Sequence, residues 1–242
     1  MRNEMMHRPV LKDEIIDLIR VRQPEIQGRV GEIQQQAKVD GVPVIPNETA
    51  SFLRFFVKQI KAKSILEIGT AIGFSASLML EAAGEGAHVT TIDRFDVMIR
   101  KAKANFKKLG VESQVTLLEG DAKDILPSLT DSYDFIFMDS AKSKYIEFLP
   151  DCLRVLKKDG VLMIDDVFQA GTVMHDRLDV PKSQRTIHRK LNLLYDTVLN
   201  HPDLTVTILP LGDGVLMIAK DVETVDLSQL EKKLKNNAEN KK

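Results

Sequence analysis

Residues 64–75, Ser-Ile-Leu-Glu-Ile-Gly-Thr-Ala-Ile-Gly-Phe-Ser, constrain the fold more than any other stretch of this chain. The apolar run from Ser64 to Ile68 reads as a buried strand and breaks at Gly69. A helical pattern then starts near Gly73 and continues through Ala76, Leu78, Met79, Leu80 and Ala83. Strand, glycine turn and helix form the first unit of an open α/β sheet, where ligands sit at the carboxyl ends of the strands. Lacking a Cβ, Gly69 and Gly73 let the backbone approach a ligand closely. The G-x-x-x-G spacing matches neither the dinucleotide fingerprint nor a phosphate-binding P-loop. Glu67 puts a carboxylate where those motifs would put a phosphate, which argues against a pyrophosphate ligand.

The alternation continues downstream. Ala87 to Ile92, Val115 to Leu118, Tyr133 to Met138 and Val161 to Ile164 read as further strands. Helices are expected from about Phe95 to Leu109, stopped by Gly110, and from about Tyr145 to Leu156, closed by Asp159-Gly160. Such spacing predicts a parallel sheet with right-handed crossovers. A long helix from Lys182 to Asn200 follows. Leu204–Leu209 and Val215–Ala219 are joined only by Pro210 to Gly214, too short a link for a crossover, so they should pair antiparallel. Upstream, Pro24 divides two helices between Val10 and Ala37. Val42-Pro43-Val44-Ile45-Pro46 is extended because its prolines block a helix, and Asn47 is placed to cap a helix reaching Ile60. The expected fold class is α/β: a Rossmann-like, seven-stranded, mostly parallel sheet with helices on both faces and a C-terminal antiparallel hairpin. One domain over 1–242 is expected, with N-terminal helices in 1–40 and a frayed tail over 228–242.

The 242 residues are long enough to bury a sizeable core. A net charge of −1 supplies no global field toward nucleic acid or membrane. One cysteine, Cys152, leaves no internal disulfide and suits a reducing compartment, where a small apolar role in a helix is expected of it. The first nine residues lack the apolar core of a signal peptide, and no run approaches membrane-spanning length, so a cytoplasmic location without membrane attachment is expected.

The acids carry the chemistry. Glu67, Asp93, Asp121, Asp139, Asp165 and Asp166 each fall at or just past a predicted strand end, so in a parallel sheet they share one edge. Any one of them fits a turn or a cap, but together they repel and call for cations. Asp93, ending the second strand, is where a nucleotide fold reads ribose hydroxyls. Asp139, Asp165 and Asp166 are hard oxygen donors without nearby cysteine or histidine ligands, which suits Mg²⁺ or Mn²⁺. Lys142 follows Asp139 by three residues. Beside a divalent cation its ammonium form is disfavoured, so its pKa is expected to fall toward that of a useful base.

At these positions the chain resembles the cation-dependent O-methyltransferases, which include catechol and caffeoyl-CoA enzymes. The resemblance covers roughly Val42 to Lys220 and is carried jointly by Glu67 to Ser75, Asp93, Gly120-Asp121-Ala122, Asp139-Ser-Ala-Lys142 with Tyr145, and Asp165-Asp166. Within that family, Val42–Pro46 and Ile164-Asp-Asp-Val167 look most like the branch methylating 5-hydroxyuridine in bacterial tRNA. The catechol and plant members mostly carry Asp-Asn where this chain has Asp165-Asp166. The resemblance implies methyl transfer from S-adenosylmethionine to an oxygen. Glu67, Gly69, Gly73 and Ser75 would hold the methionine part, Asp93 the ribose and Asp121 the adenine amine. Val44 would cover the cofactor through its backbone. Asp139, Asp165 and Asp166 would hold the metal, and Lys142 would act beside Asp139 at the reacting oxygen.

A metal-bound substrate must offer two adjacent oxygens. A catechol does so, and so does a wobble 5-hydroxyuridine in a tRNA anticodon loop; the resemblance puts methylation of the tRNA base to 5-methoxyuridine first, with a catechol-like small molecule as the alternative. The tRNA reading looks to Arg177, Arg185, Arg189 and Lys190 for phosphate contacts, with Lys182 and His188 in the same cluster and Arg8, Arg20 and Arg22 in the N-terminal helices. The same charges equally suit a solvated helix face. A homodimer is expected. A non-catalytic cofactor-binding module is the alternative from another class, disfavoured by the intact set of Asp139, Lys142, Asp165 and Asp166.

Overall fold

The computed structural model describes residues 12–230 and 232. Arg8 and most of the expected tail lie outside the described residues. Helices α1 (Asp13–Arg22), α2 (Gly28–Val39) and α3 (Asn47–Ile60) precede β1 (Ser64–Ile68). Next come α4 (Phe74–Ala83), β2 (His88–Asp93), α5 (Asp96–Leu109), β3 (Val115–Glu119), the short α6 (Ala122–Ile125) and β4 (Tyr133–Met138). The chain continues through α7 (Tyr145–Val155), β5 (Leu156–Ile164), α8 (Arg185–Val198), β6 (Leu204–Leu209) and β7 (Val215–Lys220). The strands form one seven-stranded sheet in the order β3-β2-β1-β4-β5-β7-β6. β1 to β5 run parallel, and β7 is antiparallel to both β5 and β6. The order reverses between β1 and β4, the switch point where a crevice opens in such sheets.

Alternation along the central strands builds two cores. Leu66 and Ile68 of β1 and Ile136 and Met138 of β4 face the core closed by α7 and α8. Ile65, Phe135 and Phe137 face the opposite core, closed by α2 to α5. Phe135, Ile136, Phe137 and Met138 are completely buried. At roughly 1.5–3 kcal/mol for each such side chain, this strand anchors the sheet edge on which the acids stand.

Three expectations change. Asn47 does not cap α3. It is the helix's first residue, and its Nδ2 donates instead to the carbonyls of Gln23 (3.3 Å) and Pro24 (3.1 Å), tying α3 to the turn after α1. β5 starts at Leu156 rather than Val161. The turn expected at Asp159-Gly160 is an irregularity within the strand, where Asp159 takes φ +62° and the register with β4 shifts. α8 starts at Arg185, after a 3₁₀ turn over Lys182–Gln184. Among the described residues, no helix is long and apolar enough to cross a membrane.

Candidate active site

The sheet's hydrogen-bond ladder runs one residue past its strands and sets the acids in place. Gly69 N–H donates to Ile92 O, Asp139 N–H to Ile68 O, and Asp165 N–H to Met138 O, all at 3.0 Å. Gly120 N–H donates to Asp93 O at 2.8 Å. The acid positions therefore follow from strand register, not from loop conformation. Gly69 has φ +108°, and a Cβ on it would lie 1.9 Å from the carbonyl oxygen of Asp139. Only glycine lets the ends of β1 and β4 come this close.

A cleft of about 570 Å³ opens over this edge. Val44, Gly69, Ser75, Asp93, Asp121 and Asp139 line it, joined by Arg94, Phe95, Met98 and Phe148. Two expected residues lie behind the wall. Gly73 is required by its φ of +80° and by the Phe106 ring, which a Cβ would meet at 2.7 Å. Glu67 is fully buried on the α4 side of the sheet. Its Oε1 accepts from Ser75 Oγ and its Oε2 from Thr91 Oγ1, both at 2.5 Å, and Thr91 Oγ1 is also bonded to Thr70 Oγ1 at 2.6 Å. Burial pushes the Glu67 carboxyl up to about 8, only partly offset by the two hydroxyls. Glu67 can thus act on a ligand through Ser75, whose side chain it orients.

Asp93 Oδ2 accepts from Ala71 N–H (2.8 Å) and Oδ1 from Phe95 N–H (2.9 Å), so the carboxylate braces the glycine turn while facing the cleft. Asp121 caps α6 by accepting from Lys123 N–H and pairs with Arg94 at 2.9 Å. That backbone hydrogen bond and then Arg94 hold its carboxyl below the usual range. Arg94 also lies over the Phe95 ring, 5.1 Å from its centroid. The sequence marked neither Arg94 nor Phe95. A residue just past a strand-end acid was the available signal. The lining offers an apolar slot with acceptors at its rim, suited to a nucleoside.

Beyond Asp139 lies the second half of the site. Burial first, and then the charge of Asp166, push Asp139 up to about 6. Burial and the charge of Asp139 push Asp165 up to about 8. Asp166 takes φ +61°, and its N–H donates to Asp165 Oδ1 at 2.8 Å. As the side chains stand, no three acids, histidines or cysteines among the described residues form a metal-holding group, so the expected triad is not preformed. Its chemistry nonetheless fits a hard divalent cation. Three carboxylates press on one another's charge with a single ammonium beside them, and all their donors are oxygen.

That ammonium is Lys142, whose Nζ lies 2.7 Å from Asp213 Oδ2 and 3.3 Å from Asp166 Oδ2. The sequence expectation concerned Lys142 beside a bound cation, whereas without one two carboxylates set its state. Burial alone lowers the Lys142 pKa, but the Asp213 hydrogen bond and the charges of Asp166 and Asp213 together carry it above the ordinary value. Without a bound cation, Lys142 is held as an ammonium by these two carboxylates. Asp213 comes from the turn between β6 and β7.

The basic residues on and before α8 divide. Arg185 donates to Val180 O and Leu178 O, both at 2.9 Å, and Lys190 donates to Ser143 O at 2.7 Å and pairs with Glu147. The Lys190 side chain is only 13 % exposed. With buried His188 donating toward His175 O (3.1 Å) and Asn192 to Val173 O (3.1 Å), one face of α8 pins the loop that follows β5. Arg185 and Lys190 are therefore internal ties rather than open phosphate contacts. Arg177 is exposed and Arg189 half-buried. Cys152 is buried, its thiol pushed far up by burial.

Residues 25–221 match the family described as O-methyltransferase. Tapetum-specific methyltransferase 1 of Arabidopsis thaliana is 29 % identical over 181 residues, covering 73 % of this chain and 76 % of the relative. A catechol O-methyltransferase of Niastella koreensis is 30 % identical over 153 residues, covering 62 % and 69 %. The SAH-bound methyltransferase PaMTH1 of Podospora anserina shares the fold with a TM-score of 0.76, at 24 % identity over 91 % of this chain and 97 % of that one. The strand order, the glycine turn and the acid edge are thus read in a chain whose sequence matches one family over most of its length. It belongs to the S-adenosylmethionine-dependent O-methyltransferases of the caffeoyl-CoA and catechol type.

Proposed function

We propose that this chain methylates one oxygen of a small aromatic substrate bearing two adjacent oxygens, a catechol being the simplest, with a divalent cation held by Asp139, Asp165 and Asp166. The observation that carries the reading is Asp139. It lines the cofactor-sized cleft, and its charge also acts on Asp165 in the acid cluster, so one residue joins the two halves. S-adenosylmethionine supplies the methyl group: its sulfur–carbon bond breaks as the oxygen–carbon bond forms. A bound Mg²⁺ or Mn²⁺ would favour loss of the hydroxyl proton to solvent water. Asp93 accepts from the ribose hydroxyls, and Asp121 accepts from the adenine amine. Ser75, oriented by Glu67, and the turn at Gly69 hold the methionine part, while Val44 covers the cofactor. Lys142, as an ammonium, donates to the substrate oxyanion and keeps it aligned with the methyl group.

A second reading keeps the same chemistry on wobble 5-hydroxyuridine in tRNA, with its 5-hydroxyl and 4-carbonyl as the oxygen pair. It is favoured by the resemblance of Val42–Pro46 and Ile164–Val167 to that branch, with Arg177 and Arg189 as remaining candidates for phosphate contact. The small-molecule reading ranks first because Arg185 and Lys190 are engaged internally and the relatives are named for caffeoyl-CoA and catechol. The test supplies the purified protein with Mg²⁺, S-adenosylmethionine and either catechol or tRNA bearing 5-hydroxyuridine. Methylated catechol is the expected product. Methylation of the tRNA alone would replace the first reading with the second.

A further inference from the structure

Asp213 makes more bonds across the site than its place in a five-residue turn requires. Its Oδ2 accepts from Lys142 Nζ and its Oδ1 from Ala170 N–H, both at 2.7 Å. Its backbone carbonyl accepts from Phe168 N–H at 2.8 Å, and Gly214 O accepts from Val167 N–H at 3.1 Å. The Phe168 ring lies against Gly214 so tightly that a Cβ there would be 2.4 Å from Cγ. The turn is thus fastened to the segment leaving Asp166. That segment carries three non-glycine residues with positive φ, namely Asp166 (+61°), Gln169 (+50°) and Ala170 (+51°). Such backbone persists only where its surroundings hold it.

Lys142 has two acids to choose between, and the nearer is Asp213. A lysine stem is flexible, so without Asp213 the ammonium would keep only its longer contact to Asp166 and would move more freely. We infer that Asp213 is a positioning residue for methyl transfer: one carboxylate holds the Lys142 ammonium in place beside Asp166 and fixes the backbone that follows Asp166. The inference rests on the reading that Lys142 acts at the reacting oxygen.

Two measurements on the full chain test it. In the first, Asp213→Asn, Lys142→Ala and the double variant are assayed with catechol, S-adenosylmethionine and saturating Mg²⁺. Asp213→Asn should lower kcat by about tenfold or more, the scale of one charge-assisted hydrogen bond. KM for S-adenosylmethionine should stay within about twofold, because Asp213 does not line the cofactor cleft. The double variant should turn over no more slowly than Lys142→Ala. An equal further loss in the lysine-free background would show that Asp213 does not act through Lys142 and would overturn the inference, as would wild-type kcat in Asp213→Asn. In the second, reductive methylation of lysines is followed by peptide mass spectrometry on Asp213→Ala and the wild type. Labelling of Lys142 should speed several-fold while Lys144 stays unchanged. Unchanged Lys142 labelling would overturn the tether whichever substrate the chain takes. Failure of the underlying reading looks different. Wild-type turnover in Lys142→Ala removes the lysine from the reaction, and the inference with it.

Discussion

Glu67→Gln is expected to stabilise the cofactor-free protein progressively as pH rises. The carboxyl is fully buried, its partners are two hydroxyls, and its pKa moves from 4.5 to about 8, mainly through burial. The unfolded chain ionises at the lower value. Between the two, the folded state keeps a proton that the unfolded state has released, so stability falls with rising pH at about 1.4 kcal/mol per unit. The folded state is least penalised below the unfolded value, and the penalty is complete once pH passes the folded one. From pH 5.5 to 7.5 the loss is roughly 3 kcal/mol, and local relaxation around the charge could halve it to about 1.5 kcal/mol. Glutamine has no proton to release and can still meet Ser75 and Thr91. Urea unfolding of both proteins at the two pH values should therefore show Gln gaining on Glu by about 1.5–3 kcal/mol. Asp165 also carries a raised pKa, which tilts both curves alike and cancels in the difference, while the charge of Asp139 adds a smaller push on Glu67 that belongs to the effect measured. Parallel curves would mean that Glu67 titrates normally inside the fold, and the burial argument would fail.

Asp93→Ala should weaken S-adenosylmethionine binding by at least about tenfold, since each charge-assisted hydrogen bond is worth roughly 1.5–3 kcal/mol. Calorimetric titration giving wild-type affinity would remove the end of β2 from the ribose site. Gly69→Ala should lower stability by about 3 kcal/mol or more, because the new methyl group meets the Asp139 carbonyl and the backbone has positive φ. A thermal melt within a degree of wild type would contradict that close approach. Excess chelator should abolish methyl transfer and Mg²⁺ or Mn²⁺ should restore it, whereas full turnover without metal would leave the acid cluster needing another role.

Much of this architecture was legible because the central strands bury both faces. The run from Ser64 to Ile68 and that from Tyr133 to Met138 read directly as strands, and the acids that follow them had to share an edge once the sheet was parallel. What local pattern could not reveal was pairing at a distance. Asp213 lies 71 residues from Lys142 and looks like any turn acid until the hairpin returns it to the site. The expected fall in the Lys142 pKa counted a neighbouring cation alone and not the carboxylate of Asp213, which pulls the other way. Arg185 and Lys190 show the opposite: a string of charges looks solvent-facing, while Arg185 satisfies the carbonyls of Val180 and Leu178 just upstream and Lys190 that of Ser143, 47 residues away. Asn47 had the chemistry of a cap but found two free carbonyls after α1 instead.

The contact between Gly69 and the Asp139 carbonyl also bears on how such an enzyme can change over time. Donor side and acceptor side meet through main chain, with no side chain between them to be exchanged. Their separation is therefore inherited with the sheet itself. The segment from Val42 to Pro46 and the loop after β5 can drift in sequence and so present different acceptors to the cleft. The approach of β1 to β4 would survive that drift, because main chain of the sheet sets it.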